Sequence, residues 1–251
     1  MYNYWPKTKC ARAFWGQQEL PPYRRLLADT TSWLNPAAGE HWLDLGCGSG
    51  QLTRAVWEKS GGQVAEIVAL DCAATNEQSI ARLYDLVRPL PQPGQLRFLR
   101  GDFSAGLPYW EEAVFDGVVS GLAIQYAESY SEARGCWTTE AYDHLLAEVH
   151  RVLRPGGRFV FSVNVPEPAW YRVGLTALHG LFTSPRPTRF IRNALRMLRY
   201  GSWLKQEARR GRFHYLPRET VLAKLEEAGF RCIEVRTTYA SQAFLFRCHK
   251  S

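Results

Sequence analysis

The sequence lacks three features that would each point to a particular class of protein. It contains no uninterrupted apolar run approaching the roughly 18 residues that a membrane helix requires. Its first fifteen residues show neither the continuous apolar segment nor the small-residue cleavage site of a secretion signal. Its six cysteines include no C-x-x-C pair, which disfavours a zinc site and a disulfide framework. We therefore expect a cytoplasmic protein without a bound metal.

The sequence has ample material for a folded core. Hydrophobic residues make up 46% of the 251 positions, aromatic residues 13% and charged residues 22%. This balance excludes an intrinsically disordered chain and is typical of an ordinary globular protein. The length fits one large α/β domain that spans residues 1–251, and we see no internal repeat or low-complexity tract.

Acidic residues are almost missing from one segment, residues 169–215. Glu207 is the only acid there, whereas the rest of the chain has 21 basic and 23 acidic residues and is nearly neutral. The net charge of +7 therefore belongs to this segment, which favours a local anionic partner. The ten basic residues of the segment are Arg172, Arg186, Arg189, Arg192, Arg196, Arg199, Lys205, Arg209, Arg210 and Arg212.

Short apolar runs alternate with segments of helical periodicity along most of the chain. The runs predict strands at 41–45, 64–70, 95–99, 115–120, 158–163, 231–236 and 243–247. The periodic segments predict helices at 20–34, 51–59, 77–87, 139–153 and 217–228. This alternation predicts a Rossmann-like α/β fold with a doubly wound, mainly parallel sheet and an insertion after the fifth strand.

A glycine-rich turn follows the first predicted strand in the stretch Leu43-Asp44-Leu45-Gly46-Cys47-Gly48-Ser49-Gly50. Such a turn lets the backbone approach a ligand closely. The glycine spacing fits the G-x-G-x-x-G pattern of nicotinamide dinucleotide sites poorly. Asp44 would also repel a pyrophosphate, whereas it would attract a cationic amino acid group.

This block resembles the glycine-rich motif of class I S-adenosylmethionine-dependent methyltransferases of the small-molecule, type 11-like branch. The resemblance continues with Asp71 after the second strand and with Gly101-Asp102-Phe103 after the third. It extends to Phe115-Asp116-Gly117-Val118-Val119-Ser120 and to Leu153-Arg154-Pro155-Gly156-Gly157. The resemblance implies a seven-stranded sheet with an antiparallel last strand and S-adenosyl-L-methionine as the cofactor. The cofactor-binding residues that it implies are Asp44, Gly46, Cys47, Gly48, Gly50, Asp71, Cys72, Asp102, Phe103 and Ser120.

The resemblance assigns separate parts of the cofactor to two of these aspartates. Asp71 is implied to accept hydrogen bonds from both ribose hydroxyls, and Asp102 is implied to meet the adenine amino group. The family's nucleic-acid amino-methyltransferases carry an Asn/Asp-Pro-Pro-aromatic motif after the fourth strand. This chain has Ser120-Gly121-Leu122-Ala123 there, so a small-molecule acceptor is favoured over nucleic acid.

Methyl transfer requires a general base only when the acceptor atom starts protonated. His144, His179 and His214 are the histidines that could serve, and His214 is the first choice because it closes the basic segment. Tyr126, after the fourth strand, is the second catalytic candidate. A structural role for each histidine is the alternative.

The basic segment, 169–215, is predicted to form a helical lid over the substrate. Arg189, Arg192, Arg196 and Arg199 share one helical face, so residues 186–212 could meet an anionic membrane surface. RNA is the rival partner, supported by the Arg209-Arg210-Gly211-Arg212 cluster. Residues 1–35 are predicted to cap the site. An RNA methyltransferase and a non-catalytic cofactor-binding module remain as alternatives to a small-molecule methyltransferase.

Overall fold

The computed structural model describes residues 20–173, 199 and 201–251, and these residues form nine strands and six longer helices. The strands are β1 (His41–Leu45), β2 (Glu66–Asp71), β3 (Leu96–Arg100), β4 (Phe115–Gly121), β5 (Ser129–Ser131), β6 (Cys136–Thr138), β7 (Leu153–Asn164), β8 (Phe230–Thr238) and β9 (Ala243–Lys250). The helices are α1 (Pro21–Leu34), α2 (Gln51–Lys59), α3 (Glu77–Leu86), α4 (Glu140–Val152), α5 (201–209) and α6 (Arg218–Glu227).

Seven of these strands form one sheet in the order β3-β2-β1-β4-β7-β9-β8. β1 pairs in parallel with β2 and β4. β2 also pairs in parallel with β3, and β4 pairs in parallel with β7. β9 runs antiparallel to both neighbours, β7 and β8. The predicted seven-stranded, mainly parallel sheet is confirmed.

The sheet is covered on both faces, which explains the nearly continuous apolar character of its central strands. Successive side chains of β1 alternate between the two layers. Leu43 and Leu45 pack in the layer that contains α4 and α6, whereas Trp42 packs in the layer that contains α2 and α3. None of the helices among the described residues is long and apolar enough to span a bilayer.

The structure differs from the sequence prediction at two places. β7 begins at Leu153 rather than at Arg158, because Leu153 pairs with Phe115 and the ladder then shifts register before Gly117. The stretch between β4 and α4 contains a short 3-10 turn, Ile124–Tyr126, and the hairpin β5–β6, neither of which was predicted. Three-residue strands are too short for periodicity to reveal.

Parallel pairing brings the carboxyl ends of β1, β2, β3, β4 and β7 to the same edge of the sheet. The loops after these strands therefore meet there, and ligands of open α/β sheets bind at such an edge. The glycine-rich turn, Asp102 and the segment after β4 lie in these loops, and Asp44 and Asp71 lie within the last two residues of β1 and β2.

Candidate functional site

The glycine-rich turn leaves β1 while remaining bonded to β2. The backbone N–H groups of Gly46 and Cys47 both donate to the Leu70 carbonyl, at 2.8 and 3.0 Å. The Gly50 N–H donates to the Cys47 carbonyl at 2.8 Å, and α2 begins directly after Gly50. Backbone hydrogen bonds therefore hold the turn in place. The N-terminus of α2 lies at the carboxyl edge of the sheet.

Gly46 and Gly48 are required for different reasons. Both have a positive φ, of 71° and 53°, which side chains disfavour. A Cβ on Gly46 would lie 2.4 Å from the Ala123 Cβ, so this glycine permits the close approach of two loops. A Cβ on Gly48 would meet nothing within 4 Å and would project into open space. That space is suited to a ligand lying against the turn.

We predict that Gly48→Ala weakens the binding of S-adenosylhomocysteine at least tenfold, because the new methyl group enters the ligand's space. The matched control is Gly39→Ala, since Gly39 also has a positive φ, of 77°, and also faces open space. Both variants should lose about 1–2 kcal/mol of unfolding free energy to backbone strain. Calorimetric titration measures the affinities, and an equal affinity in the two variants would contradict the placement of the ligand.

Asp44 is a buried carboxylate beside the turn. Its Oδ2 accepts hydrogen bonds from the Thr53 backbone N–H at 2.9 Å and from the Thr53 hydroxyl at 2.6 Å. Its Oδ1 is buried without a hydrogen-bond partner in the described chain. Burial raises the pKa of Asp44 to about 7, against the lowering effect of the Thr53 hydrogen bonds. An acceptor left in this state suits a cationic group such as the ammonium of an amino acid.

Asp71 ends β2 and stabilises the glycine-rich turn. Its Oδ2 accepts from the Gly48 N–H at 3.0 Å, and its Oδ1 accepts from the Ala73 N–H at 2.8 Å. The Asn76 side chain also hydrogen-bonds this carboxylate. An ionised carboxylate has about four acceptor positions, so it can still accept from a ligand. Cys72 follows it half-buried, and burial raises the pKa of its thiol.

Asp102 and Phe103 follow β3 at the same edge. The Asp102 Oδ1 accepts from the Ser104 N–H at 2.9 Å and so caps the short turn Phe103–Ala105. The Phe103 ring lies 3.3 Å from the position that a Gly46 Cβ would occupy. The structure therefore brings Asp102 and Phe103 next to the glycine-rich turn, and their contacts with a cofactor stay a prediction.

Two predicted site residues are placed where they support the turn. Ser120 is fully buried, and its hydroxyl donates to the Leu45 carbonyl at 2.8 Å, which joins β4 to the end of β1. Its hydroxyl is thus engaged within the sheet, which favours a structural role over direct cofactor contact. Cys47 is 7% exposed, and burial raises the pKa of its thiol well above the usual value.

The two catalytic candidates meet at the segment that follows β4. Tyr126 belongs to this segment, and His214 contacts it. The His214 Nε2 lies 2.8 Å from the Ala127 carbonyl, and its backbone N–H donates to the Gln125 carbonyl. Burial lowers the pKa of His214, so the ring is neutral at pH 7. Burial raises the pKa of Tyr126 to about 12, so this phenol stays protonated and is not a general base near neutral pH.

Sequence reasoning missed several residues of an aromatic wall next to Tyr126. The Tyr126 hydroxyl lies 3.2 Å from the Tyr215 hydroxyl, and its ring packs edge-on against Phe213 at 4.9 Å. Trp170 and Trp203 pack on the same cluster. Tyr23 of α1 lies near Asp44, whose negative charge adds to burial in raising the pKa of Tyr23 to about 12.

The basic segment is less free to bind anions than its sequence suggests. Acids from outside the segment pair with its described cations: Lys205 and Arg209 contact Glu167, at 2.6 and 2.9 Å. Arg210 pairs with Glu207 at 2.8 Å. Arg199 is exposed, whereas Arg186, Arg189, Arg192 and Arg196 lie outside the described residues, as does His179. The helical face that was predicted to meet a membrane therefore stays a prediction.

The comparisons with known proteins agree with this arrangement. Residues 43–161 match the family described as a methyltransferase domain. This range begins at β1 and ends within β7, so it contains the glycine-rich turn, the three aspartates and the segment after β4.

Two curated relatives and one solved structure illustrate the similarity. A demethylmenaquinone methyltransferase of Oceanobacillus iheyensis is 32% identical over 147 residues, 57% of this chain and 53% of the relative. A malonyl-[acyl-carrier protein] O-methyltransferase of Pseudescherichia vulneris is 31% identical over 137 residues, 52% of this chain and 44% of the relative. The match therefore spans about half the length of these relatives. An S-adenosylmethionine-dependent methyltransferase of Mesorhizobium loti shares the fold, with a TM-score of 0.55, 18% identity and coverage of 89% and 96% of the two chains.

Proposed function

We propose that this class I S-adenosylmethionine-dependent methyltransferase of the type 11 kind transfers a methyl group to a small, largely hydrophobic acceptor. The observation that carries the proposal is the open space beside Gly48, whose backbone N–H donates to the Asp71 carboxylate. Residues 1–251 would then form one domain, with 1–35 as a cap and 169–215 as a lid.

The residues around the turn fit the cofactor in kind and number. The Oδ1 of Asp44 would receive the ammonium group of the methionine part. Asp71, at the end of β2, would accept the ribose hydroxyls. Asp102 would meet the adenine amino group beside Phe103. S-adenosylmethionine supplies an electrophilic methyl group on a cationic sulfur when it is bound.

The aromatic wall favours a hydrophobic acceptor. Phe213 and Tyr215 lie in the segment after α5, and Tyr126 packs against them. Trp170 packs on the same cluster from the other end of the insertion. These rings exclude water from the acceptor side, which strengthens every electrostatic contact made there. Most of the rate enhancement of a methyl transfer comes from such orientation and desolvation.

His214 and Tyr126 have distinct roles in this proposal. The hydrogen bond to the Ala127 carbonyl keeps the His214 Nε2 protonated, so the neutral Nδ1 is the ring atom able to accept a proton. Tyr126 stays protonated and would orient the acceptor by hydrogen bonding. An acceptor that is already deprotonated would need neither residue as a base.

Release of S-adenosylhomocysteine tests the function. Purified protein is incubated with S-adenosylmethionine and separate pools of small apolar metabolites, RNA or anionic vesicles. We expect turnover with the small-molecule pool only. Turnover with RNA would favour the RNA methyltransferase alternative, and cofactor binding without any turnover would favour a non-catalytic module. Micromolar binding of NADH with none of S-adenosylhomocysteine would contradict the cofactor assignment.

The raised pKa of Asp44 leads to a prediction about how cofactor affinity depends on pH. A cationic ligand favours the ionised carboxylate, which dominates only above a pKa of about 7 in the free protein. Affinity for S-adenosylhomocysteine should therefore fall by about tenfold from pH 8 to pH 6, because binding must then displace a proton. Calorimetry across this range measures the effect. Asp44→Asn is the control and should bind weakly with a flat pH profile, whereas the same slope in both proteins would assign the titration to another group.

A further inference from the structure

One buried acceptor next to the aromatic wall is not used by the cofactor site described above. Asn164 is the last residue of β7 and is 2% exposed. Its backbone N–H donates to the Gln125 Oε1 at 2.6 Å, which fixes the end of the strand against the segment after β4. Its side-chain Oδ1 is buried and has no hydrogen-bond partner in the part of the chain that the structure describes. Buried polar atoms in folded proteins are nearly always paired, so this oxygen calls for a donor.

The orientation of the Asn164 amide follows from its neighbours. The Asn164 side chain hydrogen-bonds the Tyr215 phenol. Because its Oδ1 has no partner, this contact is made by the Nδ2 group. The Tyr215 hydroxyl in turn lies 3.2 Å from the Tyr126 hydroxyl. The nitrogen is therefore engaged and the oxygen is left for a ligand.

Asn164 lies on the acceptor side of the glycine-rich turn. Ala123 packs against Gly46, and two residues later Gln125 holds the Asn164 backbone. The segment 123–125 thus connects the turn to Asn164 directly. Both lie at the carboxyl edge of the sheet, at the ends of β1 and β7 on either side of β4. In the proposed function the methyl group meets its acceptor at this edge.

The surroundings of Asn164 are aromatic and carry no available cation among the described residues. Phe213, Trp170 and Trp203 pack on the Tyr126–Tyr215 pair. The Trp170 indole N–H is also buried without a partner in the described ranges. Arg212 lies 5.4 Å from the Phe213 ring centre, but its guanidinium is bound by two glutamates. A carboxylate ligand would gain no ion pair here and would set its own lone pairs against the Asn164 oxygen.

We propose that Asn164 is a substrate-positioning residue whose Oδ1 accepts a hydrogen bond from the hydroxyl or N–H group of a neutral aromatic methyl acceptor. This rests on the proposed function, because it uses the acceptor side of the same site. Tyr126 and Tyr215 complete the polar end of the pocket, and the aromatic rings hold the body of the molecule.

The test titrates three naphthalenes into protein saturated with S-adenosylhomocysteine. 1-Naphthol and 1-naphthylamine carry the donor, whereas 1-methoxynaphthalene has the same rings without it. We expect the two donors to bind at least fivefold more tightly than the ether. Asn164→Leu, which keeps the branched shape without polar atoms, should weaken the donors about tenfold and the ether less than twofold. Asn164→Asp, which keeps an acceptor oxygen, should bind the donors within threefold of the wild type or more tightly.

Affinity for S-adenosylhomocysteine, measured on each variant, shows whether the variant is folded and separates the two proposals. If this product does not bind the wild type, the proposed function fails and the positioning role fails with it. If it binds but neither donor does, or if Asn164→Leu weakens donors and ether equally, only the positioning role is overturned. Tighter binding of 1-naphthoate than of 1-naphthol would also overturn it. Preference for the naphthol over the naphthylamine would identify a hydroxyl as the group recognised.

Discussion

Replacing Asp71 with Ala is expected to lower the affinity for S-adenosylhomocysteine at least a hundredfold. In the proposed complex the carboxylate accepts both ribose hydroxyls, and charged hydrogen bonds are worth about 1.5–3 kcal/mol each. The substitution also removes the acceptor of the Gly48 and Ala73 N–H groups, so the turn loses its support from β2. Calorimetric titration measures the loss.

Two further variants identify the cause of the affinity lost in Asp71→Ala. Asp71→Asn keeps the size of the side chain and one acceptor oxygen, so it should lose less affinity than Asp71→Ala. Asp85→Ala removes an exposed carboxylate of α3 and should bind like the wild type. A folded Asp71→Ala protein with unchanged affinity would show that the ribose does not bind at the end of β2.

Replacing Arg212 with Ala is expected to reduce the free energy of unfolding by about 3–5 kcal/mol. The guanidinium contacts Glu128 at 2.8 Å and Glu207 at 3.1 Å, and these side chains are only 12%, 9% and 9% exposed. It also lies over the rings of Trp137 and Phe213. The substitution removes the Arg212 cation from Glu128 and leaves Glu207 with only its pair to the exposed Arg210. This costs more than the loss of a surface pair, because both carboxylates are nearly buried.

Urea unfolding measures this change, and the melting temperature should fall by on the order of 6–20 °C for a chain of this size. Arg210→Ala is the matched control, because Arg210 pairs with the same Glu207 at 2.8 Å but is 61% exposed. Its loss should stay below about 1 kcal/mol. Similar losses in the two variants would show that the buried position of Arg212 does not matter.

Many elements of this fold follow from local signals. The bounds of α2 agree with the sequence prediction, and the order of strands and helices agrees as well, because burial on both faces leaves continuous apolar runs. The turn around Gly46 and Gly48 was recognisable because a positive φ restricts the choice of residue. The membership of Asp44 and Asp71 in one site was implied by the resemblance to the methyltransferase family. Parallel pairing explains it, because it brings the ends of β1 and β2 together.

The hairpin β5–β6 and the early start of β7 could not be recognised in this way. The early start of β7 depends on a partner that is remote in sequence, because Leu153 pairs with Phe115. The hairpin contains only three residues on each side, and its strands carry no alternation long enough to distinguish them from a loop.

The sequence by itself determined the sheet, the glycine-rich turn and the carboxylates at its edge, because glycine conformation and hydrophobic periodicity act over a few neighbouring residues. Only the tertiary structure decided how the polar groups are paired. Glu128 and Glu167 neutralise cations of a segment that looks uniformly basic in sequence. Asn164 is left with an unpaired oxygen because Gln125 and Tyr215 occupy its other polar groups. Burial turns such contacts between distant residues into large energies, and no local pattern records which residues will meet.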